Sequence, residues 1–160
     1  MGLQRQHTAD GDIEFVHMAD DAWDQDPIAA ETDLLTEDEL AGLVAVCVGA
    51  GCPALLTLSV VGRVSLSPAD PLDSRVAAAF DAHQCRTTEG GRLLGPDAVA
   101  VALKRFGRLG AEVLVRPSPW RLGALQADLV AEWFTGWVGA ACEQQVELAA
   151  ETDAYIRRRL

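Results

Sequence analysis

A chain of 160 residues that is 49% hydrophobic has the length of one domain and buries about two thirds of the surface its unfolded form exposes. Its net charge of -11 comes entirely from residues 1–39, where twelve Asp and Glu stand against Arg5; from Leu40 onward the charges balance. An acidic chain repels phosphate backbones and anionic headgroups, which argues against nucleic-acid or electrostatic membrane partners, and no apolar run approaches the ~18 residues of a membrane span.

A soluble, cytoplasmic protein is expected. Cys47, Cys52, Cys85 and Cys142 form neither a CxxC pair nor a disulfide framework, so reduced, mostly buried thiols are expected. His83 and Cys85 are two apart and point to different sides of a helix, so no metal site is expected.

Residues 1–12 read as a flexible lead-in to a single domain. Ile13 to Met18 alternates and is β-rich, Asp20 to Asp24 is an acidic turn, and Pro27 to Ala30 suggests a second, weaker strand. Thr36 with Glu39 three residues later forms a capping box. Leu40, Leu43, Val44, Cys47 and Val48 then share one helical face, and Gly51 supplies a left-handed stop, giving a helix over Glu37 to Ala50.

Ala54 to Val61 is a run without clean alternation, as in a parallel strand buried on both faces. Asp70 caps, and Pro71 opens, a helix through Val76, Phe80 and His83. Arg86 to Gly95 reads as a polar loop, Pro96 to Leu109 as a helix, and Ala111 to Val115 as a strand halted by Pro117 and Pro119. Ala124 to Cys142 keeps helical spacing, and Glu143 to Leu160 forms a last helix ending in three arginines. Strands alternating with helices predict an α/β layered sheet with helices on both faces, small or incomplete.

Three stretches carry a resemblance: Asp33-Leu34-Leu35-Thr36-Glu37-Asp38-Glu39-Leu40, Arg92 to Val99, and Arg116-Pro117-Ser118-Pro119-Trp120-Arg121-Leu122 continuing to Trp133-Phe134-Thr135-Gly136-Trp137. Together they resemble the middle and C-terminal part of a class I S-adenosylmethionine-dependent methyltransferase of an uncharacterised actinobacterial type. The likeness covers Asp33 to Leu160 well and Ile13 to Thr32 loosely. It implies an incomplete Rossmann-like sheet, S-adenosylmethionine as cofactor and, in full-length relatives, methyl transfer to a small molecule. The family's glycine-rich cofactor loop has no counterpart: the one Gly-x-Gly, Gly49-Ala50-Gly51, follows a helix and precedes a strand, so it reads as a helix stop. A shortened relative or truncated reading frame is therefore expected, with weak cofactor binding at best. The alternative is a non-catalytic remnant or interaction module that self-associates through an exposed sheet edge.

By resemblance, Asp20 and Asp21 end the family's third strand, where an acid accepts from the adenine amino group, and Trp23 covers the adenine face. The residues themselves equally read as a solvated acidic turn and a core plug. Asp33 falls near the methyl acceptor but is also an ordinary residue ahead of a helix cap. Trp120, in a Pro-bounded loop, either walls a substrate pocket or does not; Trp133 and Trp137, four apart, are expected in the core, with Trp120 nearer an opening.

Overall fold

The computed structural model describes residues 28–31, 34–57 and 61–160. The lead-in, the strand expected over Ile13 to Met18, the acidic turn and Asp33 lie outside the described residues.

The first unit among the described residues is strand, helix, strand. β1 (Ile28–Glu31) pairs in parallel with β2 (Ala54–Thr57), with Ile28 opposite Ala54 and Glu31 opposite Thr57. The crossover is α1 (Glu37–Ala50). Its start is the expected capping box: the Glu39 amide donates to Thr36 Oγ1 at 3.3 Å, and the Thr36 amide donates to Glu39 Oε2 at 2.8 Å. Its end is Gly51 at φ +66, whose amide donates to the Val48 carbonyl at 3.1 Å. A Cβ there would suffer the left-handed penalty.

α2 (Asp73–Gln84) opens later than at Pro71: its N-cap is Leu72, with no side-chain cap bond. Asp70 is spent on a turn ahead of the helix, its Oδ1 accepting from the Leu72 amide while Asp73 Oδ2 accepts from the Asp70 amide, both at 2.9 Å. Then come two short antiparallel strands, β3 (Thr87–Thr88) and β4 (Gly91–Arg92), a 3-10 turn over Gly95–Asp97 and α3 (Ala98–Arg108). The chain closes with α4 (Ala127–Gln144) and α5 (Ala149–Arg159), each led in by a 3-10 turn. The result is an α/β architecture in which helices dominate and each described sheet has two strands.

Two apolar clusters hold it together. In one, Leu40, Val44 and Cys47 of α1 meet Leu94, ahead of the 3-10 turn, and Ala98, Ala102 and Phe106 of α3. In the other, Leu72, Val76 and Ala79 meet Phe134, Trp137, Val138 and Ala141 of α4, with Leu148 and Tyr155 closing the far side. Fully burying one such aliphatic side chain contributes about 1.5 to 3 kcal/mol. The end of α2 lies close under the 3-10 turn: at Gly95, φ +50, a Cβ would come within 3.0 Å of the Gln84 backbone and side chain, so no other residue fits without a shift.

Three further expectations need correction. The strand after Pro53 is not buried on both faces, for Leu55 is 54% exposed and Val61 49%; β2 is described only to Thr57, and only its Ala54 and Leu56 face packs on the α1–α3 cluster. The loop between α2 and α3 contains the β3–β4 hairpin, because Thr88 Oγ1 accepts from the Gly90 amide and donates to the Gly91 carbonyl, closing a tight turn. Residues 111–123 form no strand, because among the described residues none supplies the neighbouring chain that a strand needs.

Candidate functional site

The densest polar constellation ties the C-terminus to the start of α2. Tyr155, fully buried, donates its hydroxyl to Asp73 Oδ1 at 2.6 Å. Arg159 donates to the same oxygen and to the Pro68 carbonyl, and Arg158 Nε donates to Asp70 Oδ2 at 2.9 Å. Both guanidinium groups lie over the Tyr155 ring, 5.9 and 5.5 Å from its centroid. The helix places them there: Tyr155 and Arg159 are four apart on α5 and share a face.

This constellation is chemically closed. Burial, the Asp73 acceptor and its charge push the Tyr155 hydroxyl well above its ordinary value, so it keeps its proton and is no base. Desolvation acts to raise the Asp73 carboxyl, yet bonds from Tyr155, the Asp70 amide and Arg159 together hold it below the usual carboxylate range. The Leu72 amide leads the groups that lower Asp70. With every carboxylate oxygen of Asp70 and Asp73 accepting a bond and the charges matched, the cluster fastens α5 to α2. Two buried donors, Trp137 Nε1 and Arg159 Nε, lack a partner among the described residues.

Other titratable groups are more dispersed. His83 Nε2 lies 3.1 Å from Glu143 Oε2, joining α2 to α4 at the surface. Burial raises the Asp81 carboxyl, and no described residue donates a hydrogen bond to it. Burial, then the neighbouring Cys52, pushes the Cys47 thiol up, which disfavours the nucleophilic thiolate. An open recess between α1 and α3 is lined by Glu37, Arg92, Leu94, Asp97, Val101 and Lys104. Its charges are already matched in part, Arg92 to Asp97 at 3.5 Å and Arg105 to Glu37 at 2.6 Å. Among the described residues no three His, Cys, Asp or Glu side chains converge as a metal site would require.

Of the residues singled out in the sequence, Asp20, Asp21, Trp23 and Asp33 lie outside the described residues. Trp120 falls in the irregular stretch 111–123 and is 71% exposed, with no ring partner among the described residues. Trp133 and Trp137 stack at 5.6 Å, and Trp137 also meets Phe134 and Phe80. Trp137 is buried and Trp133 half-buried, so both turn toward the core, as their spacing predicts. The Asp73–Tyr155–Arg159 lock was not legible in the sequence: its partners are 82 and 86 residues apart, and only the local spacings Asp70 to Asp73 and Tyr155 to Arg159 hinted at shared faces.

Comparisons with protein-family models, with curated proteins and with solved structures give no match.

Proposed function

We propose that this chain is a class I S-adenosylmethionine-dependent methyltransferase-like protein of the cytoplasm that carries the elements on the substrate side of an incomplete Rossmann-like sheet and acts on a small molecule. The observation that supports this most is the β1–α1–β2 unit, a parallel pair joined by a capped crossover helix, which is the repeating unit of nucleotide-type α/β folds. In this reading Asp20, Asp21 and Trp23 meet the adenosine part of the cofactor, and Asp33 and Trp120 face the methyl acceptor. Gly49-Ala50-Gly51 is committed to ending α1 and holds no cofactor. Each missing charge-assisted hydrogen bond weakens binding by about 1.5 to 3 kcal/mol, enough in combination to take a micromolar ligand to about millimolar.

Calorimetric titration of the 160-residue chain with S-adenosylmethionine and with its demethylated product tests this. Saturable, mutually competitive binding in the millimolar range, lost in Asp21→Ala, is expected. Absence of saturable binding removes the reading and leaves the second one, a non-catalytic interaction module without cofactor binding. What favours that second reading is an exposed apolar segment, Val113 to Val115, with side chains 39 to 57% exposed.

A further inference from the structure

We infer that residues Glu112 to Arg116 form a self-pairing strand, so that the partner of this surface is a second copy of the same chain, joined antiparallel about a two-fold axis through Leu114. The inference rests on the interaction reading of this segment and is independent of whether a cofactor binds. Val113, Leu114 and Val115 are 39%, 57% and 48% exposed. No main-chain hydrogen bond joins residues 112–122 to another described residue, and neither Glu112 nor Arg116 forms an ion pair with one. The segment therefore offers water both its β-branched side chains and its backbone donors, which is what strand addition consumes.

The sequence of the segment decides the partner, the edge and the register. Alternate residues of a strand present their amides to opposite edges. Pro117 and Pro119 remove donors from the edge shared by odd-numbered residues, whereas Glu112, Leu114 and Arg116 leave the even edge complete. Antiparallel pairing along that even edge, centred on Leu114, sets Leu114 opposite itself, Val113 opposite Val115, and Glu112 opposite Arg116. Every cross-strand pair is then apolar with apolar or acid with base, on both sides of the axis. Shifting the register by one residue, so that the centre falls on the bond between Val113 and Leu114 or between Leu114 and Val115, breaks the acid–base match. An isologous contact requires this self-complementarity, and opposite charges facing across a ladder stabilise it while like charges oppose it. The odd face then carries Val113 and Val115 from both copies. An unrelated peptide would need no such symmetry in the segment.

Sedimentation of the full chain against concentration, with amide exchange followed residue by residue, tests this. The expected result is a dimer whose Glu112, Leu114 and Arg116 amides are protected while those of Val113 and Val115 exchange freely. Glu112→Arg and Arg116→Glu each place two like-charge pairs across the axis and should weaken dimerisation about tenfold or more, the equivalent of about 1.4 kcal/mol. The double variant restores the pairs and should restore the dimer. Leu114→Pro removes the central donors and should give a monomer with unchanged helical circular dichroism, since the side chain is exposed. A dimer that ignores the charge exchange and Leu114→Pro overturns the inference. A monomer whose 112–116 amides exchange freely also overturns it while leaving another partner to the interaction reading; a monomer with those amides protected overturns both.

Discussion

Tyr155, the largest fully buried side chain among the described residues, shows how one hydroxyl directs a helix. Its ring packs 5.3 Å from Phe134 while its oxygen reaches the Asp73 carboxylate, so packing and hydrogen bonding hold α5 to the same place on α2. Tyr155→Phe keeps the ring and deletes the bond; because the acceptor is charged, urea unfolding should show a loss of about 1.5 to 3 kcal/mol. The same contact sets a pH dependence. With Asp73 held below the unfolded carboxylate value of about 3.9, the unfolded chain takes up the proton first. The stabilisation is full above that value and is lost as pH falls through the lower folded value. Asp73→Asn should therefore flatten the acid limb of stability measured between about pH 5 and 2. Tyr155 gives the opposite limb: its raised value means stabilisation present below about pH 10 and lost as pH rises beyond it.

At the scale of elements, α1 was the most legible part of the chain. Thr36, Glu39 and Gly51 each act through neighbours within four residues, so local chemistry alone sets both helix ends. Thr36→Ala removes the acceptor for the Glu39 amide and should cost about 1 kcal/mol, within the 0.5 to 2 kcal/mol range of such caps, read as a lowered thermal midpoint. Thr36 also bridges Leu93, and the Leu94 amide donates to the Leu35 carbonyl at 2.8 Å. The start of α1 is thereby tied to the segment leading into α3. A loss beyond about 2 kcal/mol would show that this tie contributes as well. The segment at residues 111–115 behaved differently. Its composition favours a strand, yet a strand is a property of a pair, and composition does not specify where the second chain comes from.

For the whole molecule, two apolar clusters rather than one layered sheet organise the described residues, and the tryptophans report on this division. Trp137 lies in the α2–α4 cluster, Trp133 at its margin, and Trp120 in water. Iodide should quench a variant retaining Trp120 alone strongly, one retaining Trp133 partially and one retaining Trp137 least. Strong quenching at Trp137 with protection at Trp120 would reverse the assignment and place residues 111–123 inside the fold. The exposed apolar residues have a pattern too. Val113, Leu114, Val115, Trp120, Leu125 and Leu129 fall within one stretch of the chain, which makes that stretch the surface to probe first for a partner.

The sequence by itself determined whatever depends on neighbours along the chain: the helix periods, the capping box at Thr36, the left-handed stop at Gly51 and the inward turn of Trp133 and Trp137. These follow from backbone donors and side-chain spacings that repeat every three or four residues. The tertiary structure alone decided which faces meet. That α3 covers α1, that Asp73 receives Tyr155 and Arg159, that Gly95 must lack a side chain to lie against Gln84, and that Val113 to Val115 remain uncovered are matters of chain separation. Pairing of residues tens of positions apart is set by the packing of whole elements, on which local propensity is silent.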